Sequence, residues 1–141
     1  MAPQLPETGQ GSVTRIYDFY GSPDADAKRV SDLIASAVGV TFERRKSADR
    51  GEYYLANGPA GTELVVEPNE IEDEEGKFFK QPDYADSMTL LLAWHKAADE
   101  AAAAAVLDDL RERLGRLDGL VFLRRRQSTA AARGRSPGSN G

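Results

Sequence analysis

The chain holds one histidine and no cysteine, and that narrows its chemistry at once. Without thiols there are no disulfides, no thiolate nucleophile and no zinc–thiolate site. His95 follows Trp94 at the end of the apolar run 87–94, and strand ends are where α/β folds often present reactive groups. A triad or a metal centre needs converging partners, and the chain offers no second imidazole for either. General-base work with a carboxylate such as Asp99 is the one acid–base role open to His95. The expectation is a strand-end histidine that hydrogen-bonds locally, with no catalytic residue, no bound metal and no cofactor.

Carboxylates are the other concentrated chemistry. Between Glu63 and Asp86 stand Glu63, Glu67, Glu70, Glu72, Asp73, Glu74, Glu75, Asp83 and Asp86, against Lys77 and Lys80. Calcium chelation by an EF-hand loop fails on register. With Gly76 as the loop glycine, Ile71 would occupy the first ligand position and Pro82 the bidentate one. The bland alternative is a solvated loop. The functional reading is a docking surface made of Glu70, Glu72, Asp73, Glu74 and Glu75 with Phe78, Phe79 and Tyr84, since aromatic anchors rimmed by carboxylates suit a cationic cleft.

Three further patterns have structural explanations. Gly58-Pro59-Ala60-Gly61 leads into a strand instead of a helix N-terminus, so it is a hairpin turn and not a phosphate loop. Leu5-Pro6-Glu7-Thr8-Gly9 spells a sortase sorting signal, but such a signal precedes a membrane span and a basic tail, and here a folded domain follows. It is set aside. Arg124-Arg125-Arg126 resembles a nucleic-acid patch, yet strand alternation sends Arg125 away from its neighbours. These arginines are expected to offset nearby carboxylates.

The elements that position these residues follow from periodicity. Val13–Tyr20, dense in β-branched and aromatic residues, predicts a first strand. A helix should follow, capped by Ser22 with Pro23 at its first position or by Asp24, striped with Val30, Leu33, Ile34, Ala37 and Val38, and closed by a left-handed Gly39. Val40–Arg45 predicts a second strand, and 52–56 with 63–67 a hairpin. The charged stretch 70–86 has no sustained period and reads as a long loop with at most a short turn. The run 87–94 suits a central strand covered on both faces. Lys96–Leu114 predicts a helix with Val106, Leu107, Leu110 and Leu114 as its seam, ended by Gly115, and Leu120–Arg125 a last strand.

The order strand–helix–strand, hairpin, strand–helix–strand defines an α+β fold. It resembles the ferredoxin-like plan: an antiparallel or mixed sheet, two helices on one face, an inserted hairpin, and the first and 87–94 strands central. Residues 13–67 also resemble the repeating module of the glyoxalase/vicinal-oxygen-chelate fold. The second half departs from it, because one strand follows the second helix where three would be needed.

At 141 residues one domain is expected, over 13–126, with disordered tails at 1–12 and 127–141 that are too polar to offset their ordering entropy. No apolar run approaches the roughly 20 residues that span a bilayer, and the N-terminus has no basic head before an apolar stretch, so a soluble cytoplasmic protein is expected. The chain carries a net charge of −5; with Glu7 in one tail and Arg133 and Arg135 in the other, residues 13–126 carry −6. Nucleic acid needs cationic surface, so a basic protein partner is the electrostatically easier fit. In size, acidity and aromatic-bearing acidic loop the chain resembles small bacterial immunity-type proteins, and its Ala/Arg-heavy composition fits a high-GC bacterial genome. That resemblance implies an inhibitor that neutralises a basic toxin or enzyme. The alternative is a small-molecule-binding or enzymatic domain of glyoxalase-like or ferredoxin-like type, its pocket lined by Tyr17, Phe19, Tyr53, Tyr54, Trp94 and His95. The sequence leaves the oligomeric state open.

Overall fold

In the computed structural model, which describes residues 12–48 and 51–131, the strongest strand-forming stretches lie side by side within one sheet. These are β1 (Ser12–Ser22) and β7 (Thr89–Ala97). The six-stranded sheet also holds β2 (Glu43–Ser47), β3 (Gly51–Asn57), β4 (Glu63–Pro68) and β8 (Val121–Ala131), in the order β2-β3-β4-β7-β1-β8. Every neighbouring pair is antiparallel. Both β1 and β7 are therefore interior strands. β5 (Glu70–Asp73) and β6 (Gly76–Phe79) form a separate two-stranded sheet. The fold is α+β.

Two helices, α1 (Ala27–Val38) and α2 (Glu100–Leu114), cover one face. Alternation explains the core. Ile16 and Tyr20 of β1, Leu64 and Val66 of β4, and Leu91 and Ala93 of β7 point to the helices and are buried against Ile34, Leu107 and Leu110. Asp26 caps α1 by accepting the Arg29 N–H, in place of the expected Ser22 or Asp24. Gly39 ends that helix left-handed at φ 81°, as expected. Leu33, expected in the apolar stripe, is half exposed. α2 starts four residues later than Lys96, where Asp99 accepts the Ala101 and Ala102 N–H groups. Gly115 ends it in right-handed geometry.

Four strand expectations shift. β2 begins at Glu43, while Val40 and Phe42 approach the core from the preceding loop. Stretch 70–86, expected to be a loop, contains the β5–β6 hairpin and a short 3-10 turn at Pro82–Tyr84. β8 runs to Ala131, five residues past the expected domain end, because its backbone keeps pairing with β1 as far as Ser12. Residues 1–11 and 132–141 of the expected tails lie outside the described residues. Finally, 13–67 does not form a closed unit of its own, since β7 enters between β1 and β4.

Candidate functional site

The acidic stretch is mounted by one buried side chain, Asn69. Its amide nitrogen donates to the carbonyl oxygens of Ser87 at 2.8 Å and Tyr84 at 3.1 Å, and its side-chain oxygen accepts the Gln81 N–H at 2.8 Å. Its backbone N–H reaches the Met88 carbonyl, and its own carbonyl accepts the Lys80 N–H at 2.7 Å. Asn69 thus ties the entry of β5 to the exit of β6 and to the turn that leads into β7. Lys80 adds an ion pair to Glu67 at 2.6 Å, both side chains largely buried. The Pro68-Asn69 dipeptide carries a strand-stop signal in the sequence; nothing local marks the asparagine as a hub, because its side-chain partners lie 12 to 18 residues downstream.

From that base β5 and β6 pair with Glu70 opposite Phe79, Ile71 opposite Phe78 and Glu72 opposite Lys77, and Glu74-Glu75 make the turn. Directly opposed residues share a face, so alternation puts Ile71 with Phe78 on one side and Glu70 with Phe79 on the other. The two phenylalanines expected to act together are divided. Phe78 is 46% exposed, whereas Phe79 is half-buried. Glu74 and Glu75 are exposed; Tyr84 sits half-buried in the 3-10 turn and contributes its carbonyl to Asn69. Seven of the eight expected contact residues, all but Tyr84, therefore belong to one short hairpin.

Alternation also divides the six aromatics of the alternative pocket. Tyr17, Phe19, Tyr53 and Trp94 lie on the sheet face away from the helices, and Tyr54 and His95 on the helix side. The sheet itself stands between the two groups. A cavity of about 560 Å³ between α1 and the β2–β3 edge has only Tyr54 from that set. Its two cations are already engaged, Lys28 with Asp32 at 2.9 Å and Arg44 with Glu52 at 3.4 Å. His95 lies beside the Gly61 turn with Nδ1 buried and without a hydrogen-bond partner, contrary to the expected local bond. Asp99 is spent on the α2 cap, and no hydrogen bond joins it to His95. Among the described residues no group of His, Asp and Glu converges to hold a metal ion.

No protein-family model matches the chain, and no curated protein is similar enough to lend it a function.

The three arginines follow the expected alternation. Arg125 turns to the helix side, donating to both oxygens of Asp18 at 2.6 and 2.9 Å and to Asp108 of α2 at 2.8 Å. The Asp18 hydrogen bond raises the Arg125 pKa beyond its ordinary value, against its partial burial. Arg124 and Arg126 turn the other way and lie over the rings of Phe19 and Tyr17, at 5.0 and 5.2 Å. The 58–61 glycine segment is a hairpin turn between β3 and β4. A Cβ at Gly58 would collide with the Thr62 hydroxyl, which bonds the Pro59 carbonyl at 2.8 Å. Tyr20, buried beside Asp18 with its hydroxyl unpartnered, has its phenol pKa pushed above the usual range, first by burial and then by the Asp18 charge.

Proposed function

We propose that the chain is a small acidic binding protein that docks its β5–β6 hairpin into a cationic cleft of a protein partner, as an immunity-type inhibitor of a basic toxin or enzyme would. The observation that carries this reading is the mount. Glu70, Glu72, Asp73, Glu74 and Glu75 stand on a two-stranded hairpin clamped at its base by Asn69 and by Lys80–Glu67, with Phe78 exposed beside them. A pre-ordered hairpin loses less entropy on docking than a free loop would. Its charge steers a basic partner, and Phe78 supplies a ring that can be desolvated on contact. The net charge of −5 favours that partner over nucleic acid. Among the described residues no helix is long and apolar enough to cross a membrane; a cytoplasmic site of action belongs to the proposal, supported by the absence of cysteine.

For the fold we infer a ferredoxin-like plan, β4-β7-β1-β8 with two helices on one face, extended at the edge by β2–β3. The β5–β6 hairpin is then an appendage to that frame.

The test is kinetic. The variant Glu72→Gln, Asp73→Asn, Glu74→Gln, Glu75→Gln should keep the parent melting temperature and associate about tenfold or more slowly with the physiological partner at low salt, with a weaker salt dependence. Phe78→Ala should raise the dissociation rate instead. His95→Ala should leave binding unchanged. Unchanged association of the neutralised variant at low ionic strength would remove the hairpin from the interface.

A further inference from the structure

We propose that the sheet face opposite the helices binds single-stranded nucleic acid through cations that three strands bring together there. Strand alternation turns Arg124 and Arg126 of β8 to that face, and the register adds two more. Arg15 of β1 stands directly opposite Lys96 of β7, with Ser128 of β8 on its other side. Arg126 stands opposite Tyr17, two residues along, and Arg124 opposite Phe19. Directly opposed side chains lie about 5 Å apart and diagonal ones about 7–8 Å, so Lys96, Arg15 and Arg126 can reach adjacent phosphates of one strand. No stretch of the sequence shows this cluster, because its members are distant along the chain.

These cations are not spent on carboxylates. Among the described residues none of Arg15, Lys96, Arg124 and Arg126 takes part in an ion pair, whereas Arg125 on the other face is engaged twice. Like charges directly opposite each other destabilise a strand pair, so the Arg15–Lys96 juxtaposition has a cost that a bound anion removes. The nearest carboxylates on this face are engaged. Glu63 accepts the Trp94 indole N–H at 2.7 Å, and Glu67 pairs with Lys80. The turn at 80–87 touches Arg124 through Gln81 and reaches Gly21, where a Cβ would collide with the Ser87 hydroxyl. Arg15 and Lys96 lie at the opposite end of the face, about 20 Å along the strands from Gly21.

Planar groups select the kind of anion. Tyr17 stacks on Trp94 with centroids 5.8 Å apart, and these half-buried rings, with Phe19, floor the cationic cluster. Arg126 and Arg124 are exposed and rest over Tyr17 and Phe19, at 5.2 and 5.0 Å, which leaves the outer side of each guanidinium to solvent. Unpaired bases stack on guanidinium planes as well as on aromatic rings, while their phosphates take the charge. An acidic protein segment would use the charge but not the planes. The net charge of −5 is a sum over the whole surface, and the acidic hairpin, which serves a different partner, supplies much of it. The repulsion it adds makes the expected affinity weak and steeply salt-dependent.

Fluorescence anisotropy of a labelled dT strand about 12 nucleotides long, titrated with the full chain in about 50 mM salt, reads the binding. The logarithm of the association constant should fall with that of salt at a slope of about −2 to −3, as three to four phosphate contacts require. Arg15→Gln and Lys96→Gln should each weaken binding about threefold or more and take about 0.7 off the slope. Arg126→Lys keeps the charge and loses the plane, so it should weaken binding about threefold or more with the slope unchanged. Lys28→Gln, on α1, should change nothing. Lys96 and Arg126 are exposed, so their replacement leaves the fold intact, as melting curves would verify for every variant. A chain that leaves the strand free at that salt overturns the proposal. So does inorganic polyphosphate competing as strongly per charge as the strand itself, together with indifference to Arg126→Lys. The face would then take any polyanion, an acidic protein segment included.

Discussion

Asp18 is fully buried on the helix side of β1, and Arg125 stands directly across from it on β8. An isolated carboxylate in that position would be costly, so the bidentate guanidinium is a condition of the strand pairing. The pair also sets where the other arginines go. With Arg125 held inward, Arg124 and Arg126 must project from the opposite face, over Phe19 and Tyr17. The Leu123 bulge between Phe122 and Arg124 allows this register to coexist with Phe122 packing edge-on against Tyr20. Arg125→Met should cost about 3–5 kcal/mol, because it leaves Asp18 buried and unpaired. Adding Asp18→Leu to that variant should recover most of the loss, as apolar replacement of a buried pair often does. Urea denaturation of the two single variants and the double variant closes the cycle. Additive losses would show that the two side chains are not coupled.

Element boundaries are decided by side chains that satisfy loose backbone groups, and α1 illustrates it. Asp24, two residues before the cap, accepts the Asp26 N–H at 2.9 Å and two bonds from Arg29 at 2.7 and 3.0 Å. The Arg29 bond, assisted by the Asp26 amide, lowers the Asp24 pKa to about 2. A carboxylate whose folded pKa is depressed contributes stability above its unfolded pKa, about 3.9, and loses it as pH falls through the folded value. The parent melting temperature should therefore carry a contribution from Asp24 that disappears between about pH 4 and pH 2, and Asp24→Asn should lack that component. Parallel pH profiles for the two chains would dismiss the clamp. Three side chains within five residues are of capping type, Ser22, Asp24 and Asp26, and the one not expected from the sequence, Asp26, is the cap. Which one caps depends on where the tertiary structure starts the helix, so only the helix itself was legible. The same holds elsewhere. Long periodic segments such as Val30 to Val38 and the run 87–94 announced themselves through apolar spacing. β5 and β6 did not, being four residues each, charged, and held by Asn69 through contacts distant in sequence. β8 continues past Arg125 although Gln127 and Ser128 lack apolar alternation, because an edge strand needs only one paired side. The acidic stretch stands out by composition as a loop, but its hairpin and the division of Phe78 from Phe79 require the register.

At the scale of the molecule, the sheet cannot be assembled from either half of the chain. β1 comes from the first half, and both of its neighbours, β7 and β8, come from the second. β4 likewise needs β7 on one side. A fragment ending at Asp86 would hold β1 with no hydrogen-bonded neighbour, and α1 would lose α2 and the β7 and β8 side chains that share its core. Leu91, Ala93, Leu107, Leu110 and Leu114 of the core all come from the missing half. Such a fragment should be unfolded, with no cooperative melt by circular dichroism and narrowly dispersed amide signals. Mixing it with a fragment spanning 87–141 should restore the spectrum, since the cut falls in the turn that precedes β7 and leaves every strand whole. A 1–86 fragment that melts cooperatively alone would mean that the opening strand–helix–hairpin segment is an independent unit. That outcome would favour the glyoxalase-type module over the interleaved sheet, and the functional argument would then have to begin again from that unit.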